Sequence, residues 1–154
     1  MENTTKPIVL HPIGYVKNDI TQTPSQRNWQ LELISDLVID HKWIEGLEGL
    51  EEYSHIIILF WFHKVKDNEV ILKIHPMHRM DLPVTGFFAT RTYNRPNRIG
   101  ETVVKLIERR GNIVRVKGLD ALDGTPVLDI KPYLRNGDFI PDARGPIWTH
   151  ENPT

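Results

Sequence analysis

Apolar residues recur mainly at every second position or in short runs, which is the pattern of strands rather than helices. Residues 9–16 read as a strand, with Pro12 placing it near an edge or a break. Residues 31–33 and 37–39 read as a second strand or strand pair. Residues 56–62, IIILFWF, are rich in β-branched and aromatic side chains and too few for a typical helix. They predict a central strand buried on both faces. Further strands are predicted at 70–74, 86–90, 102–108 and 127–130, with a turn at 109–112 and a hairpin partner at 113–116. One short helix or turn is predicted within 44–53, and no sustained 3.6-residue period appears elsewhere. Many short strands without a βαβ rhythm predict a mostly β fold, a barrel or a strongly curved sheet with few short helices.

The 154 residues fit one domain over 1–154, with a core of about 8–134 and an irregular segment at 135–154. Within that segment Trp148 calls for a hydrophobic home. The absence of cysteine excludes a disulfide framework, a thiolate metal site and a cysteine nucleophile. The N-terminus lacks the apolar core of a signal peptide, and no apolar run approaches the ~20 residues of a membrane span. A cytoplasmic protein without membrane contact is the expectation.

The formal net charge is −1, so any nucleic-acid contact must come from a local patch. Between Lys73 and Arg98, Lys73, Arg79, Arg91, Arg95 and Arg98 face a single acid, Asp81. A solvated basic face is the plainer reading of such a run.

Two segments are poor fold-builders and good candidates for chemistry. Residues 88–100 run from strand into a loop dense in Arg, Asn, Pro and Gly. Arginine forks suit carboxylates and phosphates, and Gly100 permits close backbone approach. A plain connecting loop accounts for the same residues equally well. Residues 118–133 crowd Asp120, Asp123, Asp129 and Lys131 around apolar positions and a turn dipeptide, Asp123-Gly124. These acids could accept from hydroxyl or amino groups, or could serve turn formation and N–H capping. His63, His75 and His78 make a weak metal set, so no metal is expected. No Gly-x-Ser-x-Gly elbow, GxGxxG or P-loop is present.

At these same residues the chain resembles the TsaA-like (tRNA methyltransferase O) family. The resemblance rests on four blocks in order: HPIGYV at 11–16, GLEGLEEYSH at 46–55 with the strand ending in Phe62-His63, FATR at 88–91 with RPNRIG at 95–100, and DGTP at 123–126 with DIKPY at 129–133. It spans about 8–134. It implies a small single-sheeted β-barrel that binds S-adenosylmethionine near a homodimer interface. It further implies methylation of the exocyclic nitrogen of N6-threonylcarbamoyladenosine beside the tRNA anticodon. Carried over by position, Pro24, Ser25, Gln26, His63, Lys64, Arg91, Glu101, Lys117, Gly118, Leu119, Asp120 and Ala121 would line the cofactor pocket. Arg95, Pro96, Asn97 and Arg98 would meet the substrate, with Arg95 and Arg98 on its phosphates. Asp123, Lys131 and Tyr133 would shape the reacting end, Asp123 or Lys131 assisting proton loss.

The chain departs from the family pattern at Arg98, where a proline is usual, at Ser25, where a basic residue is common, and over 73–85. The resemblance does not extend to the extra C-terminal domain of the bacterial enzymes, which is associated with tRNA engagement. That leaves open a methyltransferase acting on a small molecule or another nucleic acid, and a non-catalytic cofactor- or RNA-binding module.

Overall fold

Alternation along the strands decides the architecture, because successive residues of a strand point to opposite faces. The computed structural model describes residues 6–66 and 70–149. Among these lie β1 (Gly14–Lys17), β2 (Ile34–Ile39), β3 (His55–Trp61), β4 (Lys73–Ile74), β5 (Thr85–Gly86), β6 (Ile99–Arg110), β7 (Ile113–Lys117) and β8 (Pro126–Pro132). Six of them close into an antiparallel barrel in the order β1-β2-β7-β6-β3-β8, while β4 and β5 pair separately. The inward positions, including Val16, Leu37, Ile56, Ile58, Val104, Val114, Val116 and Val127, are almost completely buried and form one cluster. A six-stranded barrel leaves room only for its own side chains, so the interior is a packed core. Register shifts at Leu59/Phe60 and at Leu106/Glu108 bend β3 and β6, as closure of a short barrel requires.

The hairpin between β6 and β7 forms as expected. The strand at 56–62 is central, but only one of its faces is fully buried. Ile56, Ile58 and Phe60 point into the barrel, whereas Ile57, Leu59 and Trp61 are half-buried on the outside. A closed barrel has one interior, and among the described residues the outer face of β3 is only half covered.

Five other expectations change. The first strand starts only at Gly14, after the break at Pro12, and residues 31–33 form a turn. The strand expected at 70–74 is confined to Lys73–Ile74. The strand expected at 86–90 gives way to a 3-10 turn at Phe87–Ala89 that buries Phe87. The helix expected within 44–53 is two 3-10 turns, His41–Leu47 and Leu50–Glu52, separated by Gly49 in a left-handed conformation; Gly46 and Gly49 disfavour a continuous α-helix. Among the described residues after β8, a short helix, α1 (Arg135–Asp138), and a 3-10 turn at Ile147–Thr149 interrupt an irregular segment.

Candidate functional site

The antiparallel order places the ends of β1, β3 and β7 and the starts of β2, β6 and β8 at one end of the barrel. Three connections therefore emerge side by side there: 18–33, 62–98 and 118–125. They enclose a cavity of about 1240 Å³, whose wall is completed by Trp148 from the C-terminal segment.

The wall at 118–125 is held from below by Asn18, which is 8% exposed. Its amide donates to the Ser35 hydroxyl at 2.9 Å and to the Ala121 carbonyl at 3.1 Å. Its oxygen accepts from the Ile20 N–H at 2.9 Å. Gly124 N–H donates to Val16 O and Asp123 N–H to Ile20 O, each at 2.8 Å. Gly118 and Gly124 have φ of 94° and 78°, a region that other residues rarely adopt. The result is a rigid ledge that carries Asp120, Ala121 and Thr125 along the cavity.

Asp123 sits at the outer edge of the ledge. Its carboxylate accepts from Asn18 N–H at 3.0 Å and pairs with Lys17 at 3.2 Å. The Asn18 bond, then Lys17, holds its pKa below the ordinary value. Asp120 differs. It remains accessible through the cavity mouth, yet protein atoms crowd its carboxyl, and this burial raises its pKa. Among the described residues it has neither a hydrogen bond nor an ion pair.

His63 packs against the ledge, its Nδ1 3.3 Å from the Thr125 hydroxyl. Burial, reinforced by the neighbouring Lys64 charge and partly offset by Asp123, lowers its pKa. The ring therefore stays neutral to lower pH than a free imidazole. Lys64 donates to the Thr21 carbonyl and so ties the 18–33 loop to the end of β3. Arg98 donates to the Val65 and Lys66 carbonyls at 2.7 and 2.9 Å, and Arg95 to the Thr90 and Thr92 carbonyls at 3.2 and 3.1 Å. Those two guanidiniums latch the long loop onto itself.

The third wall is aromatic. Phe88, Tyr93, Trp29 and Trp148 line it, with Tyr93 edge-on to Phe62 at 6.3 Å. Met77 and His78 also line it, with φ of 53° and 55°. Two consecutive non-glycine residues in the left-handed region store strain, as ligand-binding segments often do. No group of three or more His, Asp or Glu among the described residues could hold a metal ion.

The model of the tRNA-methyltransferase O N-terminal domain matches residues 16–139. The chain belongs to the tRNA methyltransferase O family. An S-adenosyl-L-methionine-binding protein of Archaeoglobus fulgidus is 36% identical over 140 residues, covering 90% of this chain and 98% of the relative. A mouse tRNA (adenine(37)-N6)-methyltransferase is 49% identical over 93 residues, covering 60% of this chain and 21% of that protein. The crystal structure of TrmO from Pseudomonas aeruginosa superposes with a TM-score of 0.73 at 35% identity, covering 92% of this chain and 63% of that one. The chain thus spans less than two thirds of that TrmO.

Of the family positions singled out in the sequence, His63, Lys64, Arg91, Asp120 and Ala121 line the cavity. Pro24, Ser25 and Gln26 lie between two residues that do, Thr23 and Trp29. Leu119 faces the core and is fully buried, Gly118 forms the bend before it, and Lys117 pairs with Glu32. Glu101 points outward from β6, opposite Leu59 of β3. Arg95, Pro96, Asn97 and Arg98 form the loop just beyond the aromatic wall, and Pro96 and Asn97 are exposed. Lys131 pairs with Asp129 at 2.7 Å, which raises its pKa and keeps it charged. Tyr133 lies at the opposite end of β8, where its N–H donates to His55 O at 3.1 Å. Sequence reasoning did not single out Asn18, Trp29 or Met77 for the site. A lone Asn or Met carries no motif, and only folding brings these positions together.

Proposed function

We propose that the chain is an S-adenosylmethionine-dependent methyltransferase acting on tRNA at the exocyclic nitrogen of the N6-threonylcarbamoylated adenine beside the anticodon. One observation carries this reading. Five family positions from three separate segments, His63-Lys64, Arg91 and Asp120-Ala121, converge on one cavity. The residues suit the cofactor. A neutral His63 and the Thr125 hydroxyl can hydrogen-bond an adenosyl group, and Ala121 and Leu122 offer apolar contact. When bound, the cofactor supplies an activated methyl group on a sulfonium, and in-line positioning then does most of the work.

The cavity's 1240 Å³ exceeds the roughly 300–1,000 Å³ of a pocket for one small ligand. Phe88, Tyr93, Trp29 and Trp148 line the same cavity. Flat rings suit an unstacked base, which an enzyme working on an exocyclic nitrogen must extract from its loop. Lys64, Lys66 and Arg91 give the cavity a basic lining for an RNA backbone although the chain as a whole is nearly neutral.

A homodimer belongs to the same proposal. Glu101, a cofactor position by resemblance, faces away from this cavity on the outer surface of β6. Around it Ile99, Val103 and Ile107 are 38%, 46% and 43% exposed, next to the half-buried Ile57, Leu59 and Trp61 of β3. An apolar, two-stranded outer face suits a self-complementary interface. Through it Glu101 would reach the cavity of a second copy.

The deciding experiment incubates the protein with methyl-labelled S-adenosylmethionine and total tRNA, with and without the threonylcarbamoyl modification. Label transferred only to modified tRNA is the expected outcome. Cofactor binding by calorimetry without transfer to any tRNA would favour a small-molecule substrate or a binding module. No cofactor binding at millimolar concentration would end the reading. Light scattering checks the dimer, and a monomer at working concentration would refute it.

A further inference from the structure

Methylation of an N–H nitrogen requires a proton acceptor, and three acids and a lysine lie in the 118–133 region. Their surroundings separate them. Asp123 is committed to Asn18 and Lys17, and Asp129 and Lys131 are committed to each other. Neither Asp129, Lys131 nor Asp123 lines the cavity, and Asp120 does. We infer that the Asp120 carboxylate is the group that accepts the substrate proton, making it a catalytic residue rather than a cofactor anchor. The inference rests on the methyltransferase reading above and deepens it.

The position is built for this role. Asp120 follows the fully buried Leu119, and the carbonyl of the next residue, Ala121, is fixed by the Asn18 amide. The backbone is therefore immobile while the carboxyl remains without a partner among the described residues. Around the cavity, the charged and titratable groups from other elements are His63, Lys64, Lys66, His75, His78 and Arg91. Lys64 is tied to Thr21 O and His75 to Leu82 O, so neither is paired with Asp120. Tyr93 adds a phenol to the lining.

The step balances. A C–N bond forms to the methyl carbon as its bond to sulfur breaks, and the electron pair of that bond stays on sulfur as a neutral thioether. The N–H proton passes to the carboxylate, and its electron pair remains on nitrogen. The charges of the reacting sulfonium and carboxylate thus cancel, leaving a neutral thioether sulfur, a neutral methylated nitrogen and a neutral carboxyl. Burial that disfavours the carboxylate also strengthens it as a base.

The test is Asp120→Asn, which keeps shape and removes the basic oxygen. With no partner among the described residues to lose and a disfavoured charge removed, the variant should fold and melt at or above the wild-type temperature. Two measurements follow. In the first, affinities for S-adenosylmethionine and its demethylated product are determined against pH. A carboxylate facing the reacting methyl makes wild type favour the charged form more as pH rises. The variant should lose that pH dependence and up to about tenfold in S-adenosylmethionine affinity, with product affinity unchanged. Loss of affinity for both molecules would make Asp120 a cofactor anchor and overturn the inference, as would a ratio that does not change with pH in wild type. In the second, the single-turnover rate on modified tRNA should fall by about 100-fold or more, and its acid limb should disappear. A variant rate close to wild type would also overturn it. If wild type methylates no tRNA while the affinity ratio behaves as expected, the tRNA substrate falls and the assignment of Asp120 stands.

Discussion

Replacing Asn18 with alanine tests whether the ledge at 118–125 is held as described. Asn18 makes three side-chain hydrogen bonds, and the orientation of its amide is fixed by them. The NH₂ group must face the Ala121 carbonyl, because a carbonyl only accepts, and Oδ1 must face the Ile20 N–H. Each such bond contributes about 1 kcal/mol net, and a buried partner left unpaired costs about 1–3 kcal/mol. Ser35, 1% exposed, would keep a hydroxyl with no acceptor or donor from Asn18. The expected loss is therefore about 2–4 kcal/mol in urea unfolding, with an unchanged m-value. The ledge also has to be re-ordered on binding. One or two loosened side chains cost about 0.5–1.5 kcal/mol each, so cofactor affinity should fall about tenfold by calorimetry. A loss below about 1 kcal/mol with unaltered cofactor affinity would refute the clamp.

Gly100→Ala should destabilise by about 1–3 kcal/mol, since a methyl there would lie 2.5 Å from the Phe60 ring and 2.9 Å from Phe62. Because both rings line the cavity, cofactor affinity should drop with the melting temperature; retention of both would show that the rings can step aside. Arg98→Ala should speed amide hydrogen exchange over 63–66 by removing the latch to the Val65 and Lys66 carbonyls. Unchanged exchange, with a salt slope for tRNA binding lower by about one, would make Arg98 a phosphate contact instead. Acid should destabilise the fold through Asp36 and Asp123, whose pKa values are held below the ordinary 3.8 by Arg115 and by Asn18 with Lys17, respectively. Their contribution is complete above that value and is lost as pH falls through the lowered folded values. Urea midpoints measured from about pH 5 to 2 should decline, and Asp36→Asn should flatten the decline.

The barrel was legible because its strands obey the simplest rule available, one face in and one face out. β6 and β7 alternate cleanly between buried and exposed positions, and a turn signal joins them. Errors arose where local composition imitates a strand without a partner to pair with. Leu31 and Leu33 flank Glu32 and residues 87–89 are apolar, but the chain there curls into turns, the second of which buries Phe87 and brings Phe88 and Ala89 to the cavity. The doubly apolar face of β3 misled in a more informative way. Its sequence predicts burial on both sides, and the barrel supplies only one; the remainder is the surface proposed above for contact with a second copy.

The site was legible as blocks and illegible as geometry, for a topological reason. Residues 62–64 and 88–98 are the two ends of one long connection, residues 118–125 form another, and only the antiparallel order around the closed barrel brings the two connections to one end. Charge counting across the basic stretch could not separate its arginines, because function here depends on what each guanidinium already holds. Arg95 and Arg98 are engaged by backbone carbonyls, while Arg91 lines the cavity. The same holds for the aspartates. Asp120 and Asp123 are three positions apart in a loop whose composition treats them alike. The two loops' contacts make one a brace for the ledge, its charge stabilised and its basicity reduced. They leave the other at the cavity without a partner among the described residues, where the protein atoms around it raise its pKa.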